Sequence, residues 1–466
     1  MALRFFNTLS RSVEDFQPLE DGHVRMYTCG PTVYNFAHIG NFRAYIFEDL
    51  LRRHLKFKGY HVTQVMNLTD VDDKTIRGAR EKGVSLREYT KPYVDAFFDD
   101  LRVLGVEPVE YYPAATDHVQ DMITLIHRLF ERGLAYQSDD GSIYFSIAKF
   151  PAYGKLAHLD VSGLKAGARV AQDEYEKENV ADFALWKAWD EADGDVYWDS
   201  PWGRGRPGWH IECSAMSMRY LGESFDIHTG GVDNIFPHHE DEIAQSEGAT
   251  GKLFARFWLH CAHLVVDGRK MSKSLGNFHT LRDVLTRNYS GREIRYILMA
   301  THYRQSLNFT FEGLDAARAA LQRLDEFILR LQGQATGEEP LTRLPIWAVE
   351  AKTRFADCLD DDLNISGALG ALFDMVHAGN KAMDAGAFAA EEIWGVLELL
   401  DEWHQVLGLL RPEEESVDPK ALAILELREQ ARKAKNWAEA DRLREELTVR
   451  GWTVQDTAQG PKLKKV

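Results

Sequence analysis

The sequence predicts an α/β protein built on a parallel, doubly wound sheet, interrupted by an insertion and followed by an all-α bundle and a small C-terminal module. Three observations carry that prediction. A strand–helix–strand unit opens the chain, and from about Phe311 to Leu410 apolar residues recur at helical spacing throughout. A polar, acidic break, Arg411-Pro412-Glu413-Glu414-Glu415-Ser416, then precedes a last run rich in Ala, Arg, Lys and Glu. A chain of 466 residues exceeds what one hydrophobic core organises, so two to four domains are expected.

Val24 to Cys29 is the first strand and Gly30-Pro31 its breaker. Phe42 to Lys58 follows as an amphipathic helix, with Phe42, Tyr45, Ile46, Leu50 and Leu55 on one stripe and basic Arg52, Arg53, Lys56 and Lys58 loading its last turns before Gly59. His61 to Met66 returns as the second strand, and a sheet of this kind takes its ligand at the strand C-terminal ends. Residues from about Thr116 to Ser200 form an insertion, with a helix around Met122 to Phe130, a short strand at Ser142 to Phe145 and a polar stretch through Lys177-Glu178-Asn179. Leu321, Leu324, Phe327, Ile328 and Leu331 mark one stripe of the bundle. Ala421 to Leu447 gives further helices, then a short Val449 to Val454 segment and a basic end, Lys462-Leu463-Lys464-Lys465.

With 45% hydrophobic and 27% charged residues the composition is that of a soluble globular protein, and no charge-free stretch is long enough to span a bilayer. A cytoplasmic protein without membrane contact is expected. Four cysteines over this length make no disulfide framework, so metal ligation or free thiols fit better. A net charge of −17 argues against uniform charge-driven binding to nucleic acid and confines any RNA partner to local basic patches.

His38-Ile39-Gly40-Asn41 falls between a strand and a helix, where backbone N–H groups and the helix dipole favour phosphate and Gly40 permits close approach. Downstream, Lys270-Met271-Ser272-Lys273-Ser274 puts two ammonium groups in one glycine-flanked loop, suited to charge developing on a leaving pyrophosphate. Gly154-Lys155 and Gly251-Lys252 are each followed by Leu, so no P-loop is present. Gly230-Gly231-Val232-Asp233 offers bare backbone and one carboxylate after a strand. Pro237 suits the start of a helix, on which a His and a Glu four residues apart share a face; Cys29 and Cys213 could complete a tetrahedral metal set. Spacing alone leaves His238 or His239, and Glu240 or Glu242, open. A metalloprotease HExxH is excluded because His239-Glu240-Asp241-Glu242 continues to Ile243. Cys261 and Cys358 are expected as structural thiols. Near the end, Arg432, Lys433, Lys435, Trp437 and Asp441 combine charge, a stackable ring and a carboxylate, the mixture that reads single-stranded loops. The competing expectation puts Trp437 in the module's own core.

The two lysine- and histidine-bearing motifs together resemble the ATP site of class I aminoacyl-tRNA synthetases. With Cys29, Cys213 and Pro237-His238-His239-Glu240-Asp241-Glu242, the chain resembles the cysteinyl-tRNA synthetase family from Phe6 onward. The resemblance implies a Rossmann-like catalytic domain split between 1–115 and 201–258, a connective insertion at 116–200, a junction domain at 259–310, a helical bundle at 311–411 and an anticodon-binding domain at 419–466. It implies ATP and Mg²⁺ at His38, Gly40, Asn41, Gly230, Asp233, Lys270 and Lys273, with His38, Lys270 and Lys273 catalytic. Asn41 stands where the family often has His. The resemblance also selects Cys29, Cys213, His238 and Glu242 as ligands of one Zn²⁺, Thr69 and Trp209 as L-cysteine contacts, and Arg432, Trp437, Asp441 and Asp456 as contacts to tRNA-Cys. A monomer is expected. Direct zinc–thiolate selection would make a proofreading domain unnecessary, in keeping with the short insertion. A related ligase joining cysteine to an amino sugar lacks the module at 421–466, and an inactive paralogue would be expected to lose a signature residue. A persulfide-forming side activity would need two lysines where Lys74-Thr75-Ile76-Arg77 has one.

Overall fold

A computed structural model describes residues 2–159, 169–170, 181–335, 342–411, 419–457 and 460–465. The polar stretch at Lys177-Glu178-Asn179 and the linker from Pro412 to Ser416 lie outside the described residues.

Four parallel strands run in the order Ala255–Cys261, Phe225–Gly231, His23–Thr28, His61–Met66. The first strand in sequence is internal: the chain winds from it to one side, returns to its other flank, and winds away. The crevice at that reversal lies beyond Thr28 and Gly231, where a doubly wound sheet binds its ligand. Along Phe225–Gly231 six consecutive residues are buried, as expected for a strand covered on both faces.

The first helix, Ile39–Phe57, begins three residues before the apolar stripe suggests. Gly40 and Asn41 are weak helix formers and hide its start from a propensity argument. Capping decides it: His38 Nδ1 accepts from Asn41 N–H (3.2 Å), and Asn41 Oδ1 accepts from His38 N–H (3.0 Å).

Within the insertion an antiparallel sheet is ordered Ala135–Gln137, Ile143–Phe145, Asp182–Ala188, Gly203–Pro207, Trp198–Ser200. Gly203–Pro207 lies beyond the boundary at 200, because Arg206 and Pro207 register against Lys187 and Trp186. The helix Val119–Glu131 packs on Trp209–Leu221 and His238–Thr250 and also on Ala135–Gln137 and Gly203–Pro207, in one core that joins Ile211, Met216 and Ile243 to Phe145 and Trp186 of the insertion.

Leu264–Val266 pairs antiparallel with Arg269–Lys270 and parallel with Leu307–Phe309. Helices Phe311–Gln334, Ile346–Asp360, Ile365–Asp384 and Ala390–Leu407 form the bundle. Its Leu314, Phe327 and Trp403 share a continuous core with Phe42, Tyr45 and Leu50 of the first helix. Buried Asp49 pairs at 2.5 Å with buried Arg295 of the helix Gly291–Ala300, and Arg295 in turn donates to Leu407 O of the bundle (2.8 Å). The chain through Leu410 is therefore one compact unit, and the expected domain at 311–411 is continuous with the catalytic part through its core.

Residues from Arg411 form a second unit. Helices Pro419–Lys433 and Trp437–Val449 pack with a hairpin of Trp452–Thr457 and Gly460–Lys465, so the basic C-terminal stretch is a strand. Ala421, Ile424, Leu425, Leu443, Leu447 and Trp452 make its core.

Candidate active site and metal centre

Cys29 emerges immediately after the first strand, at the reversal point of the sheet. Gly30 is forced to be glycine there: a Cβ would overlap the Asn67 carbonyl of the neighbouring loop. Cys213 comes from the second turn of the Trp209–Leu221 helix, and His238 and Glu242 from the first turns of His238–Thr250. These two helices pack against each other, so donors from three distant segments converge. One ligand atom from each of Cys29, Cys213, His238 and Glu242 lies within 4.8 Å of all the others.

Structure resolves the acidic choice that spacing left open. Glu240 faces away, accepting from the N–H groups of Gly154, Leu156 and Ala157, whereas Glu242 Oε1 lies 3.0 Å from His238 Nε2 and 3.9 Å from Cys29 Sγ. His239 reaches a second group, with Cys29, His228 and Glu242, that meets the same distance criterion. Spacing could not reveal His228, which lies on a different element from Glu242; its place in the strand Phe225–Gly231, on the face turned to the cluster, was the only available signal. Beyond it, His239 Nδ1 lies 2.8 Å from His260 Nε2, and His210 Nδ1 lies 2.8 Å from His238 Nδ1.

The electrostatics prepare two of the four donors for a cation and leave protons on the other two. Burial opposes ionisation of Glu242, but His228 and His238 outweigh it and hold the carboxyl down at about 2. Burial likewise opposes ionisation of Cys213, yet a hydrogen bond from Cys29 and the charge of His238 hold its thiol down at about 6. Cys29 is pushed well above the usual thiol range by burial and by Cys213. His238 is raised well above the ordinary imidazole value despite burial, because Cys213 and Glu242 stabilise its charge. Burial and neighbouring imidazoles push His239 well down, and burial with His228 takes His260 to about 3. Two thiolates, an imidazole and a carboxylate are a donor set that fits a tetrahedral zinc ion.

Trp209 lies over His238 with ring centroids 4.5 Å apart and planes 28° apart. Thr69 is buried and donates to Glu212 Oε2 at 3.0 Å. Trp209 thus adjoins the cluster directly, and Thr69 reaches it through Glu212, the residue before Cys213.

The nucleotide motifs also converge. Ile39 N–H donates to His279 O (3.0 Å), His38 and Thr280 form a bridge, and a Cβ on Gly40 would meet Met271 at 3.3 Å. A side chain at position 40 would also crowd the His38 ring, at 3.0 Å. Lys270 is exposed at the end of its hairpin; the Lys273 side chain lies outside the described structure. Burial depresses the His38 pKa while the nearby Asp233 charge opposes it. Asn41, expected to touch ATP, has its side-chain oxygen engaged as a cap.

Cys261 is buried and its thiol pushed up to about 12 by burial. Cys358 is half-buried. In the second unit Trp437 is 59% exposed and Trp452 fills the core in its place, so the expectation of a core Trp437 is overturned. Asp441 is exposed and Arg432 half-buried; the Asp456 side chain lies outside the described structure.

A parallel sheet with a capped histidine at its reversal point, approached by a hairpin loop bearing lysines, defines a class I aminoacyl-tRNA synthetase. Residues 15–319 match the family model for tRNA synthetases class I (C) catalytic domain, 354–411 a DALR domain, and 414–461 the cysteinyl-tRNA ligase anticodon binding domain. The chain belongs to the cysteine–tRNA ligase family. It is 53% identical over 468 residues to a cysteine–tRNA ligase of Protochlamydia amoebophila, covering 99% of this chain and 98% of that one. To a Chlamydia pneumoniae cysteine–tRNA ligase it is 52% identical over 465 residues, covering 99% and 98%. Its fold is similar to that of Mycobacterium tuberculosis methionyl-tRNA synthetase in complex with methionyl-adenylate, with a TM-score of 0.64 at 15% identity over 86% of this chain and 94% of that one.

Proposed function

We propose that this chain activates L-cysteine with ATP and passes the cysteinyl group to the terminal ribose of tRNA-Cys, selecting the amino acid at a zinc ion held by Cys29, Cys213, His238 and Glu242. The observation that carries this reading is the convergence of those four donors within 4.8 Å, with Trp209 stacked on His238 and Thr69 hydrogen-bonded to Glu212, the residue before Cys213. Zinc bound there supplies a Lewis-acid centre to which a substrate thiolate can bond and a serine hydroxyl cannot comparably, a distinction that supports roughly 10⁴-fold discrimination.

Attack of the cysteine carboxylate on the α-phosphate, with loss of pyrophosphate, needs little covalent help; positioning and charge stabilisation dominate. His38 donates to phosphate oxygens from the helix N-terminus, and Lys270 and Lys273 neutralise the leaving pyrophosphate with its Mg²⁺. Gly40, Asn41, Gly230 and Asp233 frame the adenosine. Thr69 and Trp209 line the amino-acid pocket. Attack of the ribose hydroxyl on the acyl carbonyl then expels AMP. Arg432, Trp437, Asp441 and Asp456 contact the anticodon from the module at 419–466, which is the anticodon-binding domain; 116–200, its sheet continued by Gly203–Pro207, is the connective insertion, 259–310 the junction and 311–411 the bundle. The enzyme acts as a cytoplasmic monomer.

Amino-acid-dependent pyrophosphate exchange on metal-quantified protein tests this. Exchange with cysteine, not serine or methionine, at one zinc per chain and lost in Cys213→Ser, is expected. Folded, zinc-loaded protein that exchanges with no amino acid would overturn it.

A further inference from the structure

A chain of hydrogen bonds joins the two cysteine-bearing segments. Gly30 N–H donates to Asn67 Oδ1 (2.9 Å), Asn67 Nδ2 donates to Thr69 Oγ1 (3.2 Å), and the Thr69 hydroxyl donates to Glu212 Oε2 (3.0 Å). Gly30 follows Cys29 and Glu212 precedes Cys213, so the chain starts and ends one residue from a cysteine. Asn67 and Thr69 are each 2% exposed and Glu212 is fully buried. The Thr69 backbone is pinned as well, its N–H donating to Pro31 O (3.1 Å) and its carbonyl accepting from Val33 N–H (3.0 Å).

A hydroxyl has one proton to give and two lone pairs to offer. Thr69 gives its proton to Glu212 and spends one lone pair on Asn67, which leaves one acceptor position and no donor. Such a hydroxyl accepts from an N–H and has nothing to offer an oxygen anion. Glu212 fits that polarity by geometry: its Oε2 is the acceptor for Thr69, and its Oε1 has no partner among the described residues, so although burial and the Cys213 charge push this carboxyl well above the usual range, a proton it holds has Oε1 to sit on and Oε2 still accepts. A buried oxygen left unpaired costs stability, so the carboxyl is not explained by its own packing needs.

We propose that Glu212 is a positioning residue that fixes Thr69 as a hydrogen-bond acceptor for the α-ammonium of the substrate amino acid. This rests on the reading that Thr69 lines the amino-acid pocket. The hydrogen-bonded frame that spaces the two cysteines then also sets recognition of the amine, so thiol and ammonium are registered against one scaffold.

The test uses the full-length, metal-loaded chain. Glu212→Met and Glu212→Leu both remove the acceptor, in two shapes so that one folded variant is in hand; Glu212→Gln keeps an oxygen that can accept from Thr69; Thr69→Val removes the hydroxyl. For each, zinc content, KM and kcat for cysteine in pyrophosphate exchange, and the inhibition constant of 3-mercaptopropionate, which is cysteine without its amine, are measured. Loss of one hydrogen bond to a charged group predicts a rise of about 10–100-fold in KM for cysteine in the acceptor-free variants and in Thr69→Val, with kcat little changed. Affinity for 3-mercaptopropionate should hold, Glu212→Gln should restore most of the loss, and zinc should stay at wild-type content. Equal losses for cysteine and 3-mercaptopropionate, or loss of zinc alongside, would reduce Glu212 to a structural residue and overturn the proposal. If Thr69→Val leaves KM unchanged, the pocket reading itself falls; if Thr69→Val raises KM and the acceptor-free Glu212 variants do not, only the positioning role falls.

Discussion

Glu242 is held between two histidines: Oε1 lies 3.0 Å from His238 Nε2, one turn away on the same helix, and Oε2 lies 2.9 Å from His228 Nε2 on the neighbouring strand. With Glu242 at about 2 and Cys213 at about 6, both are deprotonated at neutral pH before any cation arrives. Cys29 and His238 carry protons that a cation must displace, which makes affinity rise with pH throughout. Cys213 adds to that slope only where it is protonated. Zinc affinity is therefore expected to steepen by about tenfold per pH unit below about pH 6, measured by metal-buffered titration. A break near the ordinary thiol value would show that Cys213 is not held down by Cys29 and His238.

Asn41 carries the first turn of the motif helix by accepting from His38 N–H, while the His38 ring accepts from Asn41 N–H. Asn41→Ala removes one half of this reciprocal cap, at a cost of about 1 kcal/mol. The imidazole itself is held by the Asn41 backbone N–H, which the change leaves in place, so pyrophosphate exchange should fall only as far as a frayed first turn displaces His38, by about tenfold at most, and Asn41→Ser should recover most of it. A stability loss with unchanged exchange would confine Asn41 to helix capping.

Local chemistry makes much of this site legible in the amino-acid sequence. His38, Lys270, Cys29, Cys213 and the segment Pro237–Glu242 stand out because each sits in a short segment with an unusual mixture of side chains, but spacing leaves His238 or His239 and Glu240 or Glu242 open, and only the family resemblance selects His238 and Glu242. The Thr69–Glu212 hydrogen bond does not, since it joins residues 143 apart in sequence and involves two types that are common anywhere. Helical periodicity marks the bundle, but cannot tell that Leu314 and Phe327 share a core with Phe42, because an apolar stripe does not name its partner. The strand beyond 200 is hidden for a related reason: Gly203–Pro207 is rich in Gly and Arg, a poor strand on propensity, and becomes one by pairing with Asp182–Ala188. In the last module two tryptophans lie close in sequence, and only packing decides that Trp452 is the buried one.

Asp100 is 3% exposed, one of its oxygens is unpaired among the described residues, and the other lies 3.3 Å from Arg282 Nε. Burial outweighs Arg282 and takes its pKa to about 6 from an ordinary 3.8. Between those values the folded chain holds a proton that the unfolded chain has released, so this group's contribution to stability is present below about pH 4 and is lost as pH rises through 6. Asp100→Asn mimics the protonated form. It should match wild type near pH 3, where the carboxyl is protonated in both states, and exceed it by about 1 kcal/mol at pH 4.5 and by about 2–3 kcal/mol at pH 7.5, in urea unfolding at the three values. A variant less stable than wild type at pH 7.5 would mean that the Arg282 pair dominates.

Trp437 opens the helix Trp437–Val449 with 59% of its surface exposed, whereas Trp452, at 6%, packs on Leu443 and Leu447. An exposed indole at a helix start beside exposed Asp441 has no core to support, so Trp437→Ala should change stability by no more than about 0.5 kcal/mol. If the ring stacks on an unpaired base, its removal should weaken tRNA-Cys binding by about 1–3 kcal/mol, roughly 10–100-fold, and leave cysteine-dependent pyrophosphate exchange untouched, because activation of the amino acid does not involve the anticodon. Trp452→Ala should behave in the opposite way to Trp437→Ala in stability, costing about 3–5 kcal/mol of the module's small core, and should abolish tRNA binding by unfolding it. Filter binding and exchange assays on the two variants separate these roles: equal tRNA affinity for Trp437→Ala and wild type would remove Trp437 from the RNA-contacting face, whatever the fate of Trp452→Ala.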